Sequence, residues 1–247
     1  MTRRLALVTG GRQRLGGAIA GALADAGYAL AIHCSRNCEI EPGVAKSLAD
    51  TEWHSFVADF TDASRASTLF AEVVAHFGRA PDLLVNSASL FGQDRLESVD
   101  AASLADHYAV GCAAPALLIQ AFSAEAGEGR SIVNVLDQRI DQPHGDQLAY
   151  TLAKMALAGL TRISAKELAP RIRVNAVAPG LVLPTEDYSA EQVEHLAAAM
   201  PLARLAGPAE IAAAVLYLAG AKSVTGQVLY IDGGARLESY ARDFMHL

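Results

Sequence analysis

The chain has little that would tie it to the outside of a cell. Its three cysteines, Cys34, Cys38 and Cys112, are an odd number with no Cys-x-x-Cys spacing. No disulfide framework is expected from them, and a reducing cytoplasm fits. His33 beside Cys34 and Cys38 offers metal-ligating atoms, but no second ligand pair follows at zinc-site spacing, so a buried strand cysteine and a loop cysteine are the expectation. There is no block of like charge, and the net charge of −7 makes nucleic acid a poor partner. Apolar stretches are broken by charge, Gly or Pro within a dozen residues, and MTRRLALVTGG has only five apolar residues before its glycines, too few for a signal-peptide core. A soluble cytoplasmic protein with no membrane segment is expected. Linkers, repeats and low-complexity tracts are also missing.

What the 247 residues do have is an apolar fraction of 52%, enough for a sizeable core, and a regular alternation of short strand-like and longer helix-like segments. LALVTG is followed by an apolar stripe through Leu15, Ile19, Leu23 and Ala26, then by YALAIH, which is a βαβ unit. HSFVADF, DLLVNSAS, SIVNVL, IRVNAVAPG and QVLYIDGG continue the series, with helices expected over about 69–77, 101–125, 147–168 and 209–219. Continuous apolar runs suit strands buried on both faces. The pattern predicts a single doubly wound α/β domain over 1–247, with seven parallel strands, helices on both faces and the ligand outside the carboxyl ends of the strands. Residues about 181–205, including Tyr188, are expected to form a mobile substrate loop.

After the first strand, Thr9, Gly10 and Gly11 lead through Arg12 and Arg14 to Gly16 and Gly17, which open a helix. Strand before and helix after is the context in which glycines let backbone amides approach a pyrophosphate. The alternative is a turn that needs glycine only for its dihedral angles. An NAD site carries an acid about twenty residues farther on, whereas here the second strand ends in HCSRN. Without that acid, Arg36, helped by Ser35 and Asn37, is a candidate for the 2′-phosphate of NADPH, with Arg14 a second nearby cation. A merely solvated loop arginine is the alternative for Arg36.

Tyr150 and Lys154 are four apart on a predicted helix and share one face. An ammonium there is expected to lower the phenol's pKa from about 10 toward working pH, which suits a general acid. Thirteen residues before the tyrosine stands Asp137, at a strand end aimed at the same pocket, with a turn cap or a pair with Arg139 as the alternative role.

Thr9-Gly10 with Gly16, Asp59 after the third strand, Asn86 to Ser89 after the fourth, Tyr150-x-x-x-Lys154, and Pro179-Gly180 together resemble the short-chain dehydrogenase/reductase family over essentially the whole chain. The resemblance implies a Rossmann-type domain with strand order 3-2-1-4-5-6-7 and a homotetramer. Tyr150 would exchange a proton with the reacting atom. Lys154 would bind the nicotinamide ribose. Asp59 would contact adenine, Asn86 would line the groove and Thr9 would brace the turn. Gly10, Leu15, Gly16, Ala88, Pro179 and Gly180 would complete the cofactor site. Two positions depart from the family: Asp137 stands where a serine is usual, and Gly111, four before Pro115, where an asparagine usually supports a proton-relay water. Aspartate at 137, the run Arg14-Leu15-Gly16 and the segment Ser89-Leu90-Phe91 are similar to a pteridine reductase branch of the family. That likeness implies a pterin stacked between Phe91 and the nicotinamide, with Asp137 at its nitrogen-rich edge and Arg14 and Ser89 nearby. A carboxyl group and a water can relay a proton to nitrogen where a serine hydroxyl is a poor acid. In that branch a C-terminal arginine can reach a neighbouring subunit's site; here the tail places arginines at 236 and 242 instead. Reduction of a 3-oxoacyl thioester, or NADPH binding with little catalysis given Gly111, are the alternatives.

Overall fold

Strand segments such as Leu5–Thr9 and Arg130–Val135 are buried at every position, as strands covered on both faces must be. The computed structural model describes residues 3–125, 127–182, 188–240 and 242–244. Strands β1 (Leu5–Thr9), β2 (Ala29–Cys34), β3 (Trp53–Val57), β4 (Leu83–Asn86), β5 (Arg130–Val135), β6 (Ile172–Pro179) and β7 (Val228–Ile231) form one parallel sheet in the order 3-2-1-4-5-6-7. Val8 lies opposite both Ile32 and Val85, and Val85 opposite Val133, so the carboxyl ends of β1, β2, β4 and β5 open at one edge.

Alternation along β1 decides which side each residue serves. Ala6 and Val8 join Ile19 and Leu23 of α1 (Arg14–Asp25) and Ile211 and Val215 of α8 (Pro208–Gly220). Leu5 and Leu7 join Leu69 and Val73 of α3 (Arg65–Phe77) and Leu118 and Phe122 of α5 (Ala114–Ala124) on the other face. The long α6 (Leu148–Leu168) lies against β6 and begins at the edge where the strands open. The helical run that starts with α4 (Ala101–Tyr108) and ends with α5 is long and apolar enough by composition to cross a membrane, yet within the domain it packs on α3 and α6.

Two helices add to the predicted set. A short α2 (Pro42–Ser47) follows β2, and α7 (Ala190–Ala199) occupies much of the segment expected to be a loop over 181–205. Its start is fixed by a capping box in which Ser189 and Gln192 exchange side-chain and backbone hydrogen bonds, and Leu196 anchors it to the domain. Residues 183–187 of the expected loop lie outside the described residues.

Between α4 and α5 the helix widens into a π turn over Ala109–Ala113 that presents Gly111 to α6. A Cβ at Gly111 would stand 2.8 Å from the Ala153 Cβ, closer than carbon atoms pack, so the bare backbone is what lets the helices approach. The cysteine expectation needs correction: Cys34 and Cys38 form a disulfide. The chain leaves β2 and doubles back through Ser35–Asn37, bringing the two Cα atoms to 5.4 Å, a closure that four-residue spacing in an irregular segment does not announce.

Candidate active site

A cleft of about 610 Å³ runs along the carboxyl edge of the sheet, from Gly10 and Ser35 at one end to Tyr150 and Asp243 at the other. Its near wall is the turn after β1. Gly10 takes φ +65°, and a Cβ there would lie 3.1 Å from the Ala88 Cα; a Cβ on Gly16 would overlap the Gly10 carbonyl oxygen. Thr9 ties this turn to β4, its Oγ1 accepting from the Ser87 and Ala88 N–H groups at 2.9 and 3.0 Å. His33 supports it from below, with Nδ1 accepting from the Gly10 N–H at 3.2 Å and Nε2 donating to the Ala58 carbonyl at 2.7 Å. The ring stacks on Phe60 at 4.1 Å, and burial lowers its pKa to about 4, so the imidazole is neutral. Helix α1 opens onto the cleft with no side-chain bond from its N-cap Gln13 and no acid in its first turn, a polarity that suits an anion. Arg14 enters it at φ +52°, its N–H donating to Glu41 Oε2 at 3.1 Å. A glycine cradle, a helix start whose first N–H is held by Glu41, and Asp59 on the outer wall make a turn that fits a dinucleotide.

At the far end the reactive groups converge. The Tyr150 hydroxyl donates to Asp137 Oδ2 at 2.8 Å, while Asp137 Oδ1 accepts from the Arg139 N–H at 2.9 Å and its Nε at 3.2 Å. Oδ1 thus makes both the turn cap and the Arg139 pair weighed for Asp137, while Oδ2 faces the phenol in the cleft. Lys154 Nζ donates to the Val135 carbonyl at 2.7 Å and lies 5.5 Å from the Tyr150 ring centre. Burial lowers the Lys154 pKa to about 8. Phe91, exposed for 65% of its surface, lies 4.5 Å from the Tyr150 ring and roofs the site.

A family model described as enoyl-(acyl carrier protein) reductase, one of the short-chain dehydrogenase/reductase models, matches residues 11–236. This chain belongs to the short-chain dehydrogenase/reductase family. It is 34% identical to pteridine reductase 1 of Leishmania tarentolae, over 96% of this chain and 97% of the relative. It is 32% identical to the 3-oxoacyl-acyl-carrier-protein reductase FabG of Staphylococcus aureus, over 93% and 96%. The FolM alternative dihydrofolate reductase 1 of Brucella canis, solved with NADP, superposes with a TM-score of 0.87 at 35% identity, covering 97% of this chain and 96% of that one.

Among the site residues expected from the sequence, Gly10, Arg14, Leu15, Gly16, Ser35, Asp59, Ala88, Ser89, Phe91, Asp137, Tyr150, Lys154, Pro179 and Gly180 line the cleft. Four others do not. Thr9 and Asn86 lie behind it; Asn86 donates to Asn134 at 2.8 Å, and Asn134 to Thr161 at 2.9 Å, a buried polar chain that ties β4 to β5 and α6. Asn37 closes its own turn on the Glu39 N–H. Arg36 stands at the outer rim, its side chain 82% exposed, with Nε 3.4 Å from Asp59.

One electrostatic expectation is reversed. Rather than lying low beside an ammonium, the Tyr150 pKa is pushed well above its ordinary value, first by burial and then by the Asp137 carboxylate. Spacing read Arg139 only as a partner for Asp137 and missed two further groups, Asp243 and Phe244. Arg139, 4% exposed, donates through Nη1 to Gln147 and through Nη2 to Asp243, both at 2.7 Å. Asp243 and Phe244 arrive from the C-terminal tail and line the cleft. Within the chain, Arg236 faces Asp141 and Arg242 faces Asp146, each at 3.4 Å.

Proposed function

We propose that this protein is an NADPH-dependent reductase that adds hydride to a C=N bond of a pterin or dihydropteridine. Asp137 carries the assignment: a carboxylate takes the place of a serine hydroxyl and shares a hydrogen bond with the Tyr150 phenol inside the cleft. The Brucella canis neighbour, described as a dihydrofolate reductase with NADP, and the Leishmania pteridine reductase support this choice of substrate class.

NADPH supplies the hydride when bound. Gly10, Leu15, Gly16, Ala88, Pro179 and Gly180 would hold it, with Ser35 and Asp59 at its adenosine end and Arg36 at the rim beside the 2′-phosphate. The protein's own task is the proton. As hydride reaches carbon, the C=N nitrogen gains an electron pair and needs one proton to become N–H. Tyr150 is a protonated phenol at neutral pH, because burial and Asp137 hold its pKa up. It can therefore give that proton, and Asp137 Oδ2 receives the next one from water and passes it on. Lys154, anchored on Val135, would face the ribose and stabilise the transient phenolate by charge. Phe91 would cover one face of a flat heteroaromatic ring. A homotetramer is the expected working form.

The test is NADPH oxidation by the purified protein with dihydrofolate, dihydrobiopterin, dihydromonapterin and acetoacetyl thioester in parallel, with NADH as cofactor control. Pterin turnover that Asp137→Ser abolishes is the expected result. The FabG relative favours a second reading, reduction of a 3-oxoacyl thioester. Turnover of the thioester alone, spared by Asp137→Ser, would establish that reading and remove the first. NADPH binding without turnover of any of the four would leave neither.

A further inference from the structure

Asp243 lies 104 residues from Arg139 in sequence, yet its carboxylate receives the Arg139 Nη2 at 2.7 Å, and both groups are almost fully buried. The tail is held there from two sides. The Asp243 N–H donates to Asp146 Oδ2 at 2.9 Å, and Phe244 is seated against Leu196 and Met200 at the end of α7, with the Tyr240 ring 5.1 Å away. The guanidinium that Asp243 grips has its other edges on Gln147 and on Asp137 Oδ1. Each edge of this planar fork therefore has an acceptor, and with Oδ1 on the fork the second oxygen of Asp137 faces Tyr150.

Resting on the role given to Asp137 above, we propose that Asp243 is a positioning residue for proton transfer: held by the seat of Phe244, it keeps Arg139 from closing on both oxygens of Asp137. Without the Asp243 charge, the buried guanidinium has one counter-ion fewer and is drawn into a bidentate pair with Asp137, which takes Oδ2 away from the phenol. The charged groups facing Tyr150 are Asp137 from the end of β5, Arg139 from the turn after it, Lys154 from α6 and Asp243 from the tail; His144 and Asp146, from the loop before α6, flank Asp243. Asp243 is one of the negative charges that raise the phenol's pKa, so its neutralisation moves that pKa down.

The experiment compares wild type with Asp243→Asn, Arg139→Lys, the double variant and Asp137→Asn, on whichever substrate the wild type reduces. Asp243→Asn is expected to lower kcat about tenfold or more, the scale of a small misplacement of a catalytic group, with the substrate KM and the NADPH Kd (read by cofactor fluorescence) within about twofold of wild type. The alkaline limb of its kcat–pH profile should move to lower pH. The double variant should fall short of the product of the single losses, because the two residues act as one unit. If Asp243→Asn does not fold, Phe244→Ala, which keeps the charge but loosens its seat, should lower kcat in the same selective way. Asp137→Asn damaging while Asp243→Asn and Phe244→Ala keep wild-type kcat and pH limb would overturn this proposal alone. An inert Asp137→Asn would remove the role of Asp137, and this proposal with it. Equal losses in kcat, NADPH affinity and melting temperature would reduce Asp243 to a structural tie and overturn its positioning role.

Discussion

At the end of the cleft where β1 and β2 meet α1, the turn is shaped by glycine backbone over a neutral histidine, with Arg12, Arg14 and Asp59 also on the lining; at the other end, beyond β5, Asp137, Arg139, Lys154 and Asp243 crowd four ionisable groups around one phenol. The first end achieves its shape by leaving atoms out. The second achieves its chemistry by confining charges in a place where each is costly unless the others are present. One should therefore fail when a carbon is added, the other when a charge or a hydroxyl is removed.

The largest effect expected from breaking this contrast is at Tyr150. Tyr150→Phe removes the proposed acid and leaves the glycine turn untouched, so kcat should fall by about 10²–10⁴ while NADPH affinity measured by fluorescence stays put. A parallel loss of cofactor binding would show that the two ends are not separable.

His33 offers the next test, through pH. Its folded pKa of about 4 lies below the ordinary 6.5, so the unfolded chain takes up the proton first as pH falls. Stability present above pH 6.5 should be lost progressively down to about pH 4 and no further, by about 3 kcal/mol from this residue. Urea midpoints across that range should show the loss, and His33→Gln should flatten it. A wild-type midpoint with no slope between pH 6.5 and 4 would mean that the imidazole is not buried in neutral form.

The smallest change is a single carbon. Gly16→Ala places a Cβ against the Gly10 carbonyl and should weaken NADPH binding by about 2 kcal/mol, with kcat at saturating NADPH little altered. A large fall in kcat at saturation would instead tie the turn to the chemistry.

The fold was legible because each βαβ unit repeats a change of period, from runs buried on both faces to apolar residues three and four apart. The two helices that escaped are a six-residue helix behind Pro42 and α7, whose polar surface resembles loop composition. At the site, Tyr150, Lys154 and Asp137 were legible because one helix turn and one strand end fix their separation. His33 was read for its neighbouring cysteines rather than for the Gly10 N–H it holds. Asp243 had no local signal, since only the closed tertiary structure brings it to Arg139. The direction of the Tyr150 shift was equally hidden, because it depends on burial and on which carboxylate oxygen faces the phenol, neither of which sequence spacing records.

The contact between Gly111 and Ala153 limits what position 111 can carry. With its backbone set against the methyl group at 153, it has no room in which a side chain could begin. An asparagine there would need a second adjustment: the helix that bears Tyr150 and Lys154 would have to move outward, or Ala153 would have to become smaller. Any route of protons past this point therefore has to run through backbone groups or through side chains other than one at 111.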